Sequence, residues 1–325
     1  MTFEVSMKKI LFSLAAGLVL CAGVAAQEIH FGVLNGPSCI PAGYLLDDTS
    51  AVKGAVVSYE KYADPQALLP KMLKGEVDIG FLPANVAAKV YNSTNGAIKV
   101  CAITGNGNIS LITTDPNVKQ LADLKGKTVA VAGQGATPEY MLRYLLEKSG
   151  IQADTPEGVS LDFSIPTAQI AAQLISGKID YAVVPEPFAT VAQTKSDKVF
   201  VAVDFQKEYE YLEGKGKVYP LTVMVVTTKF AEANPKALKA FLNAYEKSYK
   251  NTLKNPKKAG ELSEKFELGL AAPIVTKSIP KANYVYIPSA GGKAQPKVEE
   301  LLNIFLAFEP SSIGGQLPDE GFYFK

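Results

Sequence analysis

An internal repeat limits the fold more than any other feature of the chain. Gly75, Asp78 and Pro83 recur as Gly177, Asp180 and Pro185 at one constant offset. Before the first glycine, Leu68, Leu69, Met72 and Leu73 share the face of a helix that Gly75 closes as a C-terminal cap, and the apolar run 77–82 follows as a strand. The second copy reads alike, with a helix over 166–176, Gly177, and a strand leading into Pro185. A repeat of this length is too long for a solenoid unit. It predicts two lobes of like topology.

Residues 28–34, 55–59, 98–104, 128–132, 160–165 and 221–227 read as further strands between helical segments. This alternation makes the chain α/β, with a doubly wound, mostly parallel sheet in each lobe. Residues 27–108 and 221–325 form the first, discontinuous lobe, and 109–220 the second. The chain passes between lobes near Gly105, Asn106 and Gly107 and again near Tyr219, which are the candidate hinge residues. Asn234-Pro235 and Asn255-Pro256 each open a helix, and a third covers 297–307. Phe241, Leu242, Tyr245 and Tyr249 make the first of these helices' core stripe. The tail 309–325 straps across a lobe, because Phe322, Tyr323 and Phe324 gain little in solvent.

Lys8 and Lys9 precede an apolar run over 10–20, and Val24-Ala25-Ala26 supplies small residues before Gln27. This is the layout of a secretory signal peptide over residues 1–26, with Met7 as an alternative start, and its apolar run is too short to span a bilayer. Cys21 offers a lipid anchor as a second reading, against which the bulky Leu20 stands. The whole chain has 33 basic and 32 acidic residues, and residues 1–26 hold Lys8, Lys9 and Glu4, so the remainder is formally neutral. A nucleic-acid partner gets no electrostatic support from it. Arg143 is the only arginine, which leaves anions to backbone N–H groups, hydroxyls or lysine. Cys39 and Cys101 either pair or stay as separate buried thiols, the second being the ordinary state of such residues.

In open α/β sheets ligands bind beyond the carboxyl ends of the strands. Those ends supply the candidate ligand contacts: Asn35, Gly36, Pro37 and Ser38; Asn85; Gly133, Gln134, Gly135, Ala136 and Thr137; and Glu186, held between two prolines. The 133–137 turn is the sharpest of them. A strand ends in Gly-x-Gly, Thr137 reads as the N-cap and Pro138 as the first helical residue, so backbone N–H groups converge on one point. That makes a receptor for an oxyanion or a polar ring edge, or else a plain strand-to-helix connection. Catalytic readings find little support. The one histidine, His30, lies inside the first strand, and no C-x-x-C, H-E-x-x-H, G-x-S-x-G or P-loop pattern occurs. No metal and no cofactor is expected.

Four stretches carry a resemblance: Leu82-Pro83-Ala84-Asn85-Val86-Ala87-Ala88, Asp123-Leu124-Lys125-Gly126-Lys127, Gly133-Gln134-Gly135-Ala136-Thr137-Pro138-Glu139-Tyr140 and Pro185-Glu186-Pro187-Phe188. The chain resembles the extracytoplasmic substrate-binding proteins of ABC importers, in the branch of nitrate, sulfonate, taurine and thiamine-pyrimidine binders. The resemblance implies a two-lobed periplasmic-binding-protein type II (venus-flytrap) fold and a monomer. It implies no enzymatic activity, and a small-molecule ligand handed to a permease with its ATPase. It also implies that the 133–137 turn faces the ligand and that Glu186 lines the cleft. The chain departs from that pattern in having no tryptophan and one arginine, which favours a neutral or weakly charged organic ligand. Two alternatives share the fold. One is a pyrimidine-biosynthesis enzyme, whose cysteine cluster and reactant histidine are missing here; the other is a ligand sensor for a membrane kinase.

Overall fold

The computed structural model describes residues 27–325; the signal-peptide reading and Cys21 lie outside the described residues. The strands are β1 (Gln27–Leu34), β2 (Ala55–Tyr62), β3 (Ile79–Pro83), β4 (Ile98–Asn106), β5 (Ile109–Thr113), β6 (Lys127–Val131), β7 (Val159–Asp162), β8 (Tyr181–Pro185), β9 (Phe200–Asp204), β10 (Pro220–Thr227) and β11 (Tyr284–Pro288). They form a six-stranded sheet, β11-β4-β10-β3-β1-β2, and a five-stranded sheet, β7-β6-β8-β5-β9. Read from the opposite edge, the first sheet runs β2-β1-β3-β10-β4, strand for strand the arrangement of the second. In the six-stranded sheet the edge strand β11 runs antiparallel to β4, and in both sheets strands of one direction flank a central antiparallel strand, β10 or β5. That strand is the first the chain forms after crossing from the other sheet. The fold is therefore two-lobed α/β with mixed sheets, in each of which most strands run one way although only four of the nine neighbouring pairs are parallel.

The helices form for local reasons that also fix their ends. Asp64 accepts from Ala67 N at 2.8 Å to start the helix Pro65–Leu73. Asn255 does the same for Lys258 N at 3.1 Å, opening Pro256–Lys265, in keeping with side-chain capping of otherwise orphan N–H groups. Leu68 and Met72 are buried, whereas Leu73, assigned to the same face, points to solvent. In the first lobe Phe31 meets Phe241 of the helix Pro235–Lys254 edge-on at 5.0 Å and Phe81 at 5.6 Å. The tail crosses this lobe: Asn92 Nδ2 donates to Ile313 O at 2.8 Å and Gln316 O at 2.7 Å, and Phe324 N donates to Val100 O at 2.9 Å. Within the tail, Phe322 and Tyr323 are buried against the lobe.

The crossings differ from the expectation in one respect. β4 runs two residues past Thr104, so Gly105 and Asn106 are paired strand residues rather than a free turn, opposite Thr222 and Pro220. Gly107 N donates to Tyr219 O at 2.8 Å, which ties the two crossing segments together. A Cβ at Gly107 would sit 2.3 Å from the Tyr219 ring; this glycine is required by close approach. A third segment joins them, since Asn106 N donates to Asn283 O at 3.0 Å and Asn283 Nδ2 to Gly107 O at 3.0 Å. The helix Gln295–Phe308 also joins the two halves of the molecule: Phe305 lies 5.6 Å from Tyr140, Phe308 lies 6.2 Å from Tyr144, and Glu300 takes Lys217 Nζ at 2.8 Å.

Candidate functional site

The turn after β6 is built by two left-handed glycines, Gly133 at φ 77° and Gly135 at φ 72°, conformations that a side chain strains. The helix behind it spans Thr137–Lys148 with Ala136 as N-cap. This corrects the boundary by one residue: Thr137 is the first helical residue and makes no cap. Its hydroxyl instead donates to Asn85 Oδ1 at 3.1 Å. Asn85 stands in the first turn of the helix Ala84–Ser93 after β3. Its amide nitrogen donates to Gly135 O at 3.1 Å and to Ser312 O at 3.4 Å. Both Asn85 and Thr137 are fully buried, while Gly133, Gln134 and Gly135 are exposed. The structure thus joins three of the candidate residues directly across the junction of the two sheets.

The anion-receptor geometry of the turn is already in use. Gly135 N donates at 2.6 Å to Oε2 of Glu139, the third helical residue, whose Oε1 takes Arg143 Nε at 2.9 Å. Arg143 Nη1 then reaches Asp154 Oδ2 at 2.8 Å. Glu139 is a residue of the turn's hydrogen-bond network that sequence reasoning passed over within the motif. The signal was its spacing, since an acid at the third helical position can turn back to the N–H groups preceding the helix. Ala136 N is occupied as well, by Gly133 O at 3.1 Å.

Glu186 is placed elsewhere. It is buried at the end of β8, its N–H bonded to Asn108 O at 3.0 Å and its Oε2 taking Thr190 N at 3.2 Å. Burial pushes its carboxyl above the ordinary range, and the Thr190 hydrogen bonds and the Lys281 ammonium pull the other way. It lines a cavity of about 680 Å³ with Gly107, Asn108, Lys281 and Asn283, so its nearest surroundings are the crossing segments. Lys281 and Asn283 carried no sequence signal, because only the fold brings the 280–283 segment there, whereas Asn108 ends the 105–108 stretch read as a hinge. At the end of β1, Asn35 is exposed and bonds through its N–H to Tyr62 O at 2.8 Å; Gly36 N donates to Leu268 O at 2.9 Å. Pro37 O accepts from Tyr284 Oη at 2.9 Å, and Ser38 is half-buried.

The profile described as NMT1/THI5 like matches residues 52–259. The chain belongs to the NMT1/THI5-like family. Among curated proteins it is similar to a Brucella abortus protein named for an inferred binding role, at 23% identity over 192 residues, 59% of this chain. That match spans 56% of the relative, little more than half its length. Among solved structures it is similar to an ABC transporter protein from Parabacteroides distasonis, with a TM-score of 0.75 and 24% identity, covering 92% of this chain and 99% of that one. It is also similar to the periplasmic aliphatic sulphonate binding protein of Escherichia coli, with a TM-score of 0.68 and 16% identity over 90% and 92% of the two chains. A third is the periplasmic nitrate-binding protein of Synechocystis, at 0.59 and 16% over 78% and 70%. At such identities the likeness establishes the fold.

As an NMT1/THI5-like protein the chain shows no group of three or more His, Cys, Asp or Glu side chains placed to hold a metal among the described residues. No described helix is long and apolar enough to cross a membrane. His30 is half-exposed on β1, with Nε2 at 3.2 Å from Glu28 and Nδ1 at 3.8 Å from Asp78. Cys39 and Cys101 are separate free thiols, both buried; desolvation pushes the Cys39 thiol up to about 12 and raises Cys101 further.

Proposed function

We propose that the chain is the solute-binding receptor of an ABC importer, working outside the cytoplasmic membrane. It captures a small organic molecule between its lobes and presents the closed form to a permease with its ATPase. The observation that carries this reading is the meeting of strand-end loops from two sheets that share a five-strand order, with Asn85 after β3 touching Gly135 and Thr137 after β6. Such a junction is the usual place for a ligand pocket. It is lined by glycines, amides and hydroxyls rather than by a nucleophile and base in contact, which suits reversible capture. The names of the similar solved structures, a sulphonate binder and a nitrate binder among them, support the transport role. The ligand contacts would come from Gly133, Gln134 and Gly135 on one side, Asn35, Gly36, Pro37 and Ser38 on the other, and Glu186 at the crossing end.

The test is native mass spectrometry of the purified protein, followed by scattering with whatever compound it carries. A compound at about a hundred times its dissociation constant stabilises the folded state by about 2.7 kcal/mol, so a raised melting temperature together with a smaller radius of gyration is the expected result. A protein that carries nothing, and that neither shifts nor compacts with any fraction of a metabolite extract, would end the receptor reading.

A further inference from the structure

The glycine turn at 133–137 has the form of an anion receptor, yet an anion of the protein's own occupies it. The Glu139 carboxylate, almost wholly buried, holds Gly135 N at 2.6 Å, while the Gly135 carbonyl and the Thr137 hydroxyl are both engaged by Asn85. Arg143, the chain's only arginine, is committed to Glu139 at 2.9 Å and to Asp154 at 2.8 Å. Two carboxylates against one guanidinium leave a net single negative charge beside the turn. The helix macrodipole contributes only about half a positive charge at this end. Glu186, the other acid among the candidate contacts, lies apart from the turn at the crossing segments, buried and with the Lys281 ammonium beside it, so the excess negative charge at the turn comes from Glu139 and Asp154. An incoming sulfonate, nitrate or carboxylate would meet an occupied donor and like charge.

We propose that Glu139 is a specificity-determining residue that plugs the anion position of the glycine turn, so that the cleft takes organic ligands presenting hydrogen-bond donors or a cation and rejects anionic ones. This rests on the receptor reading above and names its ligand class. Glu139 acts by filling a position rather than by touching the reacting part of anything. Arg143 holds the plug in place and Asp154 holds Arg143.

The experiment uses the full chain as wild type, Glu139→Gln and Glu139→Ala, titrated calorimetrically with sodium methanesulfonate and sodium nitrate against sodium chloride of equal ionic strength. Wild type is expected to bind neither anion beyond the chloride control. Both variants should gain saturable binding of at least one, by about tenfold or more over wild type, the equivalent of about 1.4 kcal/mol. Saturable binding of either anion by wild type overturns the proposal, as do folded variants that remain as blind to anions as wild type. If the variants do not fold, the charge of the compound that co-purifies with wild type decides: neutral or cationic supports the plug, and anionic refutes it. Wild type compacting around a neutral or cationic compound while folded variants ignore anions keeps the receptor and removes the plug. Wild type compacting around nothing removes both.

Discussion

Burial holds the Glu186 carboxyl above its ordinary value, and this fixes the sign of its effect on stability. The folded state keeps the proton more tightly than the unfolded chain, whose glutamates titrate at about 4.3. The contribution is therefore full below that value and is lost as pH rises through the folded one. Glu186→Gln should remove that loss, so the variant's denaturation midpoint between about pH 4 and pH 8 should decline less than that of wild type. Parallel profiles would place the titration on another group. Asp319 behaves in the opposite sense, its carboxyl lowered first by the Tyr91 hydroxyl and then by the backbone N–H of Gly321. At this scale the sequence marked Glu186 as an acid at a strand end without separating ligand contact from backbone capping, and the structure shows its Oε2 accepting from Thr190 N. The sequence did not single out Glu139. Its role depends on where the helix begins, and a shift of the N-cap from Thr137 to Ala136 is what brings its carboxylate to the third helical position.

The helix Gln295–Phe308 shows how an element can be read correctly and its task missed. Its apolar spacing predicts a helix, but periodicity gives only the existence of a buried face, not the partner. One partner is the helix Thr137–Lys148, through Phe305 and Phe308 against Tyr140 and Tyr144, and the helix Ala84–Ser93 and β10 are others. Phe305 is fully buried there, so Phe305→Ala should destabilise the protein by about 3–5 kcal/mol, read from the urea midpoint at constant slope. A cost under about 1 kcal/mol would mean that the two helices are not held by this contact. Three short strands, β5, β9 and β11, escaped the sequence for a related reason. Each has five residues, and β5 follows directly on glycines and asparagines that read as a turn. A short apolar run becomes a strand only when neighbours supply its hydrogen bonds, and those neighbours, β8 and β9 for β5, lie far along the chain.

Across the whole molecule, the repeat of Gly75, Asp78 and Pro83 carried the two-sheet architecture, while the insertion of β10 and β5 into the middle of each sheet had no local trace. What the architecture leaves open to control is the junction, and Asn85 is a buried side chain that spans it. Its amide donates to Gly135 O and its carbonyl accepts from Thr137, so the same groups that a ligand would seek hold the lobes together. A ligand contacting them must compete with this latch, and its apparent affinity falls by the fraction of molecules in which the latch is open. Asn85→Ala removes both bonds and leaves the buried Thr137 hydroxyl without its acceptor, at a cost of about 1–3 kcal/mol. Scattering from the unliganded variant should then give a larger radius of gyration than wild type, because the lobes lose a direct tie across the junction. Compaction on adding the co-purified compound should be correspondingly larger. A variant with wild-type stability and an unchanged scattering curve would show that the Asn85 bonds do not hold the lobes together.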